Sequence, residues 1–105
     1  MNKQELLLKM FPYPTTFFGR GGDEVNGLPA DVIPNGEIVD RFCGKGVDSD
    51  REFFLIEFEG ILFLLRICLA MPDSGYAKFA VVHETSFDKP VLYIRSMFER
   101  WKEYR

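Results

Sequence analysis

The chain is poor in the residues on which most catalysts and nucleic-acid binders rely. In 105 residues it has one histidine, His83, and two cysteines, Cys43 and Cys68. A single imidazole confines any histidine acid–base scheme to one position. The cysteine spacing excludes a zinc knuckle or a CxxC redox pair, and Cys68, inside an apolar stretch, reads as a buried reduced thiol. Positive charge is short as well. Lys and Arg number 13 against 16 Asp and Glu, for a net charge of −3. That balance argues against a phosphate-backbone partner and leaves room for a basic protein one. No RNP1 pattern occurs between Arg51 and Phe58, so no nucleic-acid partner is expected. There is also no long apolar run. Glu57, Glu59 and Arg66 interrupt the greasiest stretch, Phe53 to Met71, whose longest uncharged run is Gly60 to Leu65. A bilayer span needs roughly 20 apolar residues, so no membrane crossing is expected. The first residues, MNKQELLLKMFPYP, have no sustained apolar core and no small-residue cleavage site. A cytoplasmic setting is the expectation.

What is abundant is apolar and aromatic side chain, at 47% and 15%. That content excludes disorder as a description of the whole chain, and the length suits a single domain over residues 1–105. The centre of the core is read in Phe53–Met71. A two-residue turn at Glu59-Gly60 pairs Phe58 with Ile61, Ile56 with Phe63, Phe54 with Leu65 and Glu52 with Ile67, with Gly60 at the turn position that needs positive φ. Side chains alternate across a strand. One face of this hairpin is therefore wholly apolar: Phe54, Ile56, Phe58, Ile61, Phe63, Leu65, Ile67 and Leu69. The other is mixed: Phe53, Leu55, Glu57, Leu62, Leu64, Arg66 and Cys68. A one-residue slip would exchange the faces, so the pattern pins the register.

Asn2 to Met10 reads as a short helix capped by Asn2 with Glu5 three residues on, ended by Pro12. From Pro12 to Gly36 the chain is punctuated by Pro and Gly without periodicity and reads as a long loop that docks on the core through residues such as Phe17, Phe18, Val25, Leu28 and Val32. Glu37 to Cys43 reads as a strand with Ile38, Asp40 and Phe42 on one side and Val39 and Arg41 on the other. After the hairpin, Tyr76 to Glu84 reads as a further strand. Asp88 and Pro90 open a final helix whose apolar arc is Val91, Ile94, Met97, Phe98, Trp101 and Tyr104. The expected architecture is α+β: an antiparallel meander of about four strands, a short N-terminal helix, and a C-terminal amphipathic helix on the sheet. The C-terminal helix is expected on the fully apolar face. Cover for the mixed face is open between the N-terminal helix, the loop and a second protein.

Candidate chemistry is sparse. His83 sits beside Glu84 at a strand end, without a nucleophile elbow nearby. Asp48, Asp50, Glu52 and Glu59 fit the first, third, fifth and twelfth positions of a calcium loop, but Phe53 occupies the obligatory glycine and the segment runs into a strand. Neither Gly19-Arg20-Gly21-Gly22 nor Gly44-Lys45-Gly46 completes a phosphate-binding loop. No metal and no cofactor is expected.

Pro34-Asn35-Gly36 followed by Asp40-Arg41-Phe42 resembles the P-x-G-x-x-x-D-R-[FY]-G stretch of tuberculosis-necrotizing-toxin-type NAD glycohydrolases. The resemblance implies a dinucleotide contact at Arg41. Cys43 stands where that family has glycine, and its downstream histidine and late glutamine motif have no counterpart, the one glutamine being Gln4. The leading expectation is a small protein-interaction module without catalysis, of the inhibitor or immunity type carried by bacteria and phages. Its binding edge is expected at Phe17, Phe18, Arg20, Asp23 and Glu24 with the Asp48–Asp50 turn, an aromatic and arginine anchor in a polar rim. The alternative is a small enzyme or nucleotide-binding module built on Arg20, Arg41, His83 and Glu84. A homodimer through the mixed hairpin face is the structural third.

Overall fold

The computed structural model describes residues 2–13, 17–18, 23–46, 50–69 and 78–104. Its elements are helix α1 (Lys3–Met10), strands β1 (Phe17–Phe18), β2 (Glu24–Leu28), β3 (Glu37–Cys43), β4 (Arg51–Phe58), β5 (Ile61–Leu69) and β6 (Lys78–Thr85), and helix α2 (Val91–Tyr104). The strands form one antiparallel sheet in the order β1-β2-β6-β5-β4-β3. The α+β class and the β3-to-β6 meander match the expectation. The sheet is wider than four strands: β2 adds a fifth of five residues, and the two-residue β1 extends the edge. The segment read as a loop thus contains a strand pair. Its sequence, EVNGL before Pro29, hides β2 because a bulge between Val25 and Leu28 breaks the alternation and Gly27 takes φ of 75° there.

The hairpin register is as read: Phe58 faces Ile61, Ile56 faces Phe63, Phe54 faces Leu65 and Glu52 faces Ile67. Glu59 and Gly60 have φ of 53° and 79°, the two positive values of a type I′ turn. The reading of β3 fails at one point. A bulge at Val39 slips the pairing, so Ile38 opposes Ile56 while Asp40 opposes Leu55 and Phe42 opposes Phe53. Ile38 therefore packs with the apolar face, and Asp40 and Phe42 project with the mixed one.

The cover of the two faces is the reverse of the expectation. The apolar face, extended by Val25, Leu28, Ala80 and Val82, lies under α1 through Leu6, Leu7 and Met10, with Phe11 and with Val32 of the β2–β3 connection. Asn35 fastens that connection: its backbone N–H donates to the Met10 carbonyl at 2.9 Å and its side chain to the Lys9 carbonyl at 3.0 Å, satisfying orphan acceptors at the helix end. Asn2 caps the other end by accepting from the Glu5 N–H at 2.9 Å. Helix α2 lies on the mixed face, with Ile94 and Phe98 buried against Phe53, Leu55, Leu62 and Leu64, and Met97, Trp101 and Phe42 half-buried around them. Width explains the exchange. One helix is about 10 Å across, which matches roughly three strands at ~4.8 Å spacing. The apolar patch of the mixed face spans β3 to β5 only, whereas the fully apolar face runs on to β2 and needs a broader cover.

Because α2 occupies Phe53, Leu55, Leu62 and Leu64, that patch does not lie open for a second copy of the chain. The arc of α2 is shorter than read: Val91 and Tyr104 are 45% and 83% exposed. Its start also differs, since the Pro90 carbonyl rather than Asp88 takes the first helical bond, from Ile94 at 3.2 Å. Among the described residues no helix is long and apolar enough to cross a membrane.

Candidate functional site

Alternation on β5 and β6 decides what the sheet presents beyond α2. Leu62, Leu64, Arg66 and Cys68 share the α2 side of β5, and Val81, opposite Arg66, shares it on β6. A bulge between Leu64 and Leu65 leaves His83 as the extra residue of β6, directed to the same side, where its ring meets the Trp101 indole edge-on at 4.8 Å between centroids. Trp101 in turn packs edge-on to Phe53, and Phe53 stacks on Phe42 at 4.8 Å. The aromatic row ends at His83. Beyond it, Val81 on β6 and its cross-strand partner Glu24 on β2 lie outside the cluster that α2 covers.

The polar chemistry of this region centres on Arg66, a half-buried residue near the middle of the sheet whose Nε is closed off from solvent with no acceptor among the described residues. Burial first, and then the Arg66 charge, hold the His83 imidazole below its ordinary value of 6.5. His83 keeps one edge in solvent, so the desolvation is that of the edge turned to the protein. Burial raises the Cys68 thiol above its ordinary 9.0, against the pull of Arg66 and Arg51. Sequence reasoning treated Arg66 only as an interruption of an apolar run. The signal that could have found it is a lone cation at an inward position opposite Phe53.

The expected site residues fall in separate places. Arg20 and Asp48 lie outside the described residues, and for Phe17 and Phe18 only the strand β1 is described. Asp23 is held by an ion pair with Lys3 and accepts through its carbonyl from the Val82 N–H at 2.8 Å. Glu24 is half-buried on β2. Asp50 is exposed before β4, so β6 and β5 stand between it and the Asp23–Glu24 end. It lines a cleft of about 230 Å³ with Cys43, Glu52, Leu69 and Lys78. A second, more polar hollow of about 120 Å³ brings Asp23 and Lys3 together with His83, Glu84, Thr85 and Asp88. Both are small beside the ~300–1,000 Å³ of ordinary small-molecule sites.

Of the enzyme set, Arg20 lies outside the described residues, and Arg41 is not brought to His83 and Glu84. Arg41 sits on the edge strand β3 opposite Phe54, on the α1 side, its guanidinium 3.9 Å from Glu52. His83 is on the α2 side of β6, three strand spacings or about 14 Å away laterally. Glu84 shares the small polar hollow with His83 but not with Arg41. The described residues contain no group of three or more His, Cys, Asp and Glu able to hold a metal ion. Asp40, next to Arg41, has a structural task. It accepts from the Arg41 backbone N–H at 2.8 Å and from Lys102 of α2 at 2.7 Å, which lowers its carboxyl pKa through the lysine bond first. The pair fastens α2 to β3 and occupies a backbone donor of the edge strand. Comparison with protein-family models, curated proteins and solved structures yields no match. The resemblance to NAD glycohydrolases therefore stands on the Pro34–Phe42 segment alone.

Proposed function

We propose that this chain is a small protein-interaction module that neutralises a partner by direct binding, without chemistry of its own. The observation that carries the reading is the reach of α2. It covers β3 to β5 and reaches β6 at the Trp101–His83 contact, leaving Val81 of β6 and Glu24 of β2 beyond the cluster beneath the helix. The sheet order makes this surface continuous with the β1–β2 edge, where Phe17, Phe18, Asp23 and Glu24 reside. We place the contact surface there, with Asp50 outside it. A rigid sheet presenting an aromatic end, an arginine and a polar margin fits the anatomy of a compact interface. The dispersal of Arg41 and His83 to opposite faces supports binding over catalysis.

An inhibitor or immunity role in a reducing cytoplasm belongs to the same proposal. Cys43 and Cys68 are both free and lie on opposite sides of the sheet, where they cannot pair with each other. The net charge of −3 leaves room for a partner that is basic as a whole. Sedimentation of the purified chain with the product of an adjacent gene should show a stoichiometric complex. Turnover of NAD, nucleotide or ester substrates by the chain alone, abolished in His83→Ala, would overturn the reading.

A further inference from the structure

Strand β3 is the long edge of the sheet. It pairs with β4 on one side and ends the order of the described strands on the other, with seven residues against two in β1 at the opposite edge. An edge of that length is a template for any extended segment, including β3 of a second copy. One bond fixes which of its backbone groups face outward. The Gly44 N–H donates to the Arg51 carbonyl at 3.0 Å. Bonds in an antiparallel pair alternate along the strand. With Phe42 opposite Phe53 and Asp40 opposite Leu55, the backbone groups of Phe42 and Asp40 therefore also turn to β4, and those of Arg41 and Cys43 turn outward.

The outward donor at Arg41 is already used. Its N–H donates to Asp40 Oδ1 at 2.8 Å, while Oδ2 of the same carboxylate accepts from Lys102 Nζ at 2.7 Å. Each oxygen thus has a partner, and Lys102, on α2, holds the carboxylate against β3. An incoming strand finds the Arg41 donor taken, and its carbonyl oxygen meets negative charge where a bond would form. The bulge at Val39 works in the same direction, because it bends the strand and breaks its register immediately before Asp40. Side-chain composition alone would not close this edge. Ile38, Val39 and Phe42 are strong strand formers, and Val39 is 37% exposed.

We infer that Asp40, held by Lys102, closes the β3 edge and keeps two copies of the chain from joining by antiparallel β3–β3 pairing. This device is independent of the contact surface proposed above, which lies towards the other edge of the sheet.

The test compares the full chain with Asp40→Ala and Asp40→Asn by sedimentation equilibrium over a concentration series, with hydrogen–deuterium exchange locating any contact. Alanine removes the acceptor. Asparagine loses the charge facing Lys102 and keeps an amide oxygen for the Arg41 N–H. The expected result is self-association of Asp40→Ala at least about tenfold tighter than that of the parent, with added protection across Glu37–Cys43 as concentration rises, and Asp40→Asn close to the parent. Equal association of Asp40→Ala and the parent overturns the inference, as does a parent that itself pairs through β3 or an association that leaves β3 exchange unchanged. Asp40→Asn behaving like Asp40→Ala overturns it too, by showing that the Lys102 pair matters and the backbone bond does not. If Asp40→Ala fails to fold, the parent decides: its Arg41 amide should exchange at least about tenfold more slowly than an unstructured amide, and exchange at the unstructured rate overturns the inference.

Discussion

Removing the Phe98 side chain is the sharpest perturbation of the architecture. Phe98 is fully buried where α2 meets the sheet, with its ring centroid 5.3 Å from that of Phe42 and in a cluster with Phe53, Leu55, Leu62 and Leu64. Phe98→Ala deletes an aromatic ring from a site framed by β-strands that have little freedom to collapse. The expected cost is about 3–5 kcal/mol, a large part of the roughly 5–15 kcal/mol that holds a domain together. With a urea m-value of about 1.5 kcal/mol/M, within the usual range for small domains, the midpoint falls by roughly 2–3 M. Leu92, six residues earlier on the same helix, is 79% exposed. Leu92→Ala should stay within about 0.5 kcal/mol of the parent. Equilibrium urea unfolding followed by circular dichroism reads both variants. A loss below about 1 kcal/mol for Phe98→Ala, or equal losses for the two, would refute the placement of α2 on the mixed face.

Two further perturbations are as definite. At Gly36, φ is 116° and an added Cβ would lie 2.9 Å from the Glu57 carbonyl oxygen and 3.0 Å from Ile56 Cγ2, whereas at Gly60, with φ of 79°, it would meet nothing within 4 Å. Gly60→Ala should therefore cost only its backbone strain, about 1 kcal/mol, and Gly36→Ala clearly more, because β3 must move off β4; thermal unfolding showing the opposite order would contradict the strand geometry. His83 has a folded-state pKa below its unfolded value, so the unfolded chain takes up its proton first and stability should decline as pH falls below about 6.5 until the folded value is passed. His83→Gln should flatten that part of the stability–pH curve, and an unchanged slope in the variant would show that another group produces it.

The parts of this fold legible in the sequence are those set by neighbours along the chain. The β4–β5 register follows from strict alternation on both arms and a turn that tolerates positive φ at Glu59 and Gly60. The Asn2 cap is equally local. What escaped was set by parity slips and by sheet width. At Val39 one extra residue turns Asp40 and Phe42 away from the face of Ile38, and nothing in EIVDRFC marks it, since Ile38 and Phe42 are apolar on either side. β2 escaped because its bulge places Asn26-Gly27 where alternation would require a single residue. Without β2 the apolar face reads narrower than it is, and nothing local to α2 tells that it covers the mixed face instead. The candidate site shared this fate. Arg66 becomes conspicuous only once α2 is placed on its side of the sheet and its Nε is found buried without an acceptor among the described residues.

The central claim is that the surface formed by β1, β2 and β6 beside Arg66 is where a protein partner binds. Hydrogen–deuterium exchange of the chain, alone and in complex with the product of an adjacent gene, tests it most directly. The account predicts added protection in Glu24–Leu28 and in Lys78–Thr85 around Val81 and His83, with α1 unchanged. Protection confined to α1 or to the Asp50 end of β4, with β2 and β6 exchanging as in the free chain, would contradict it.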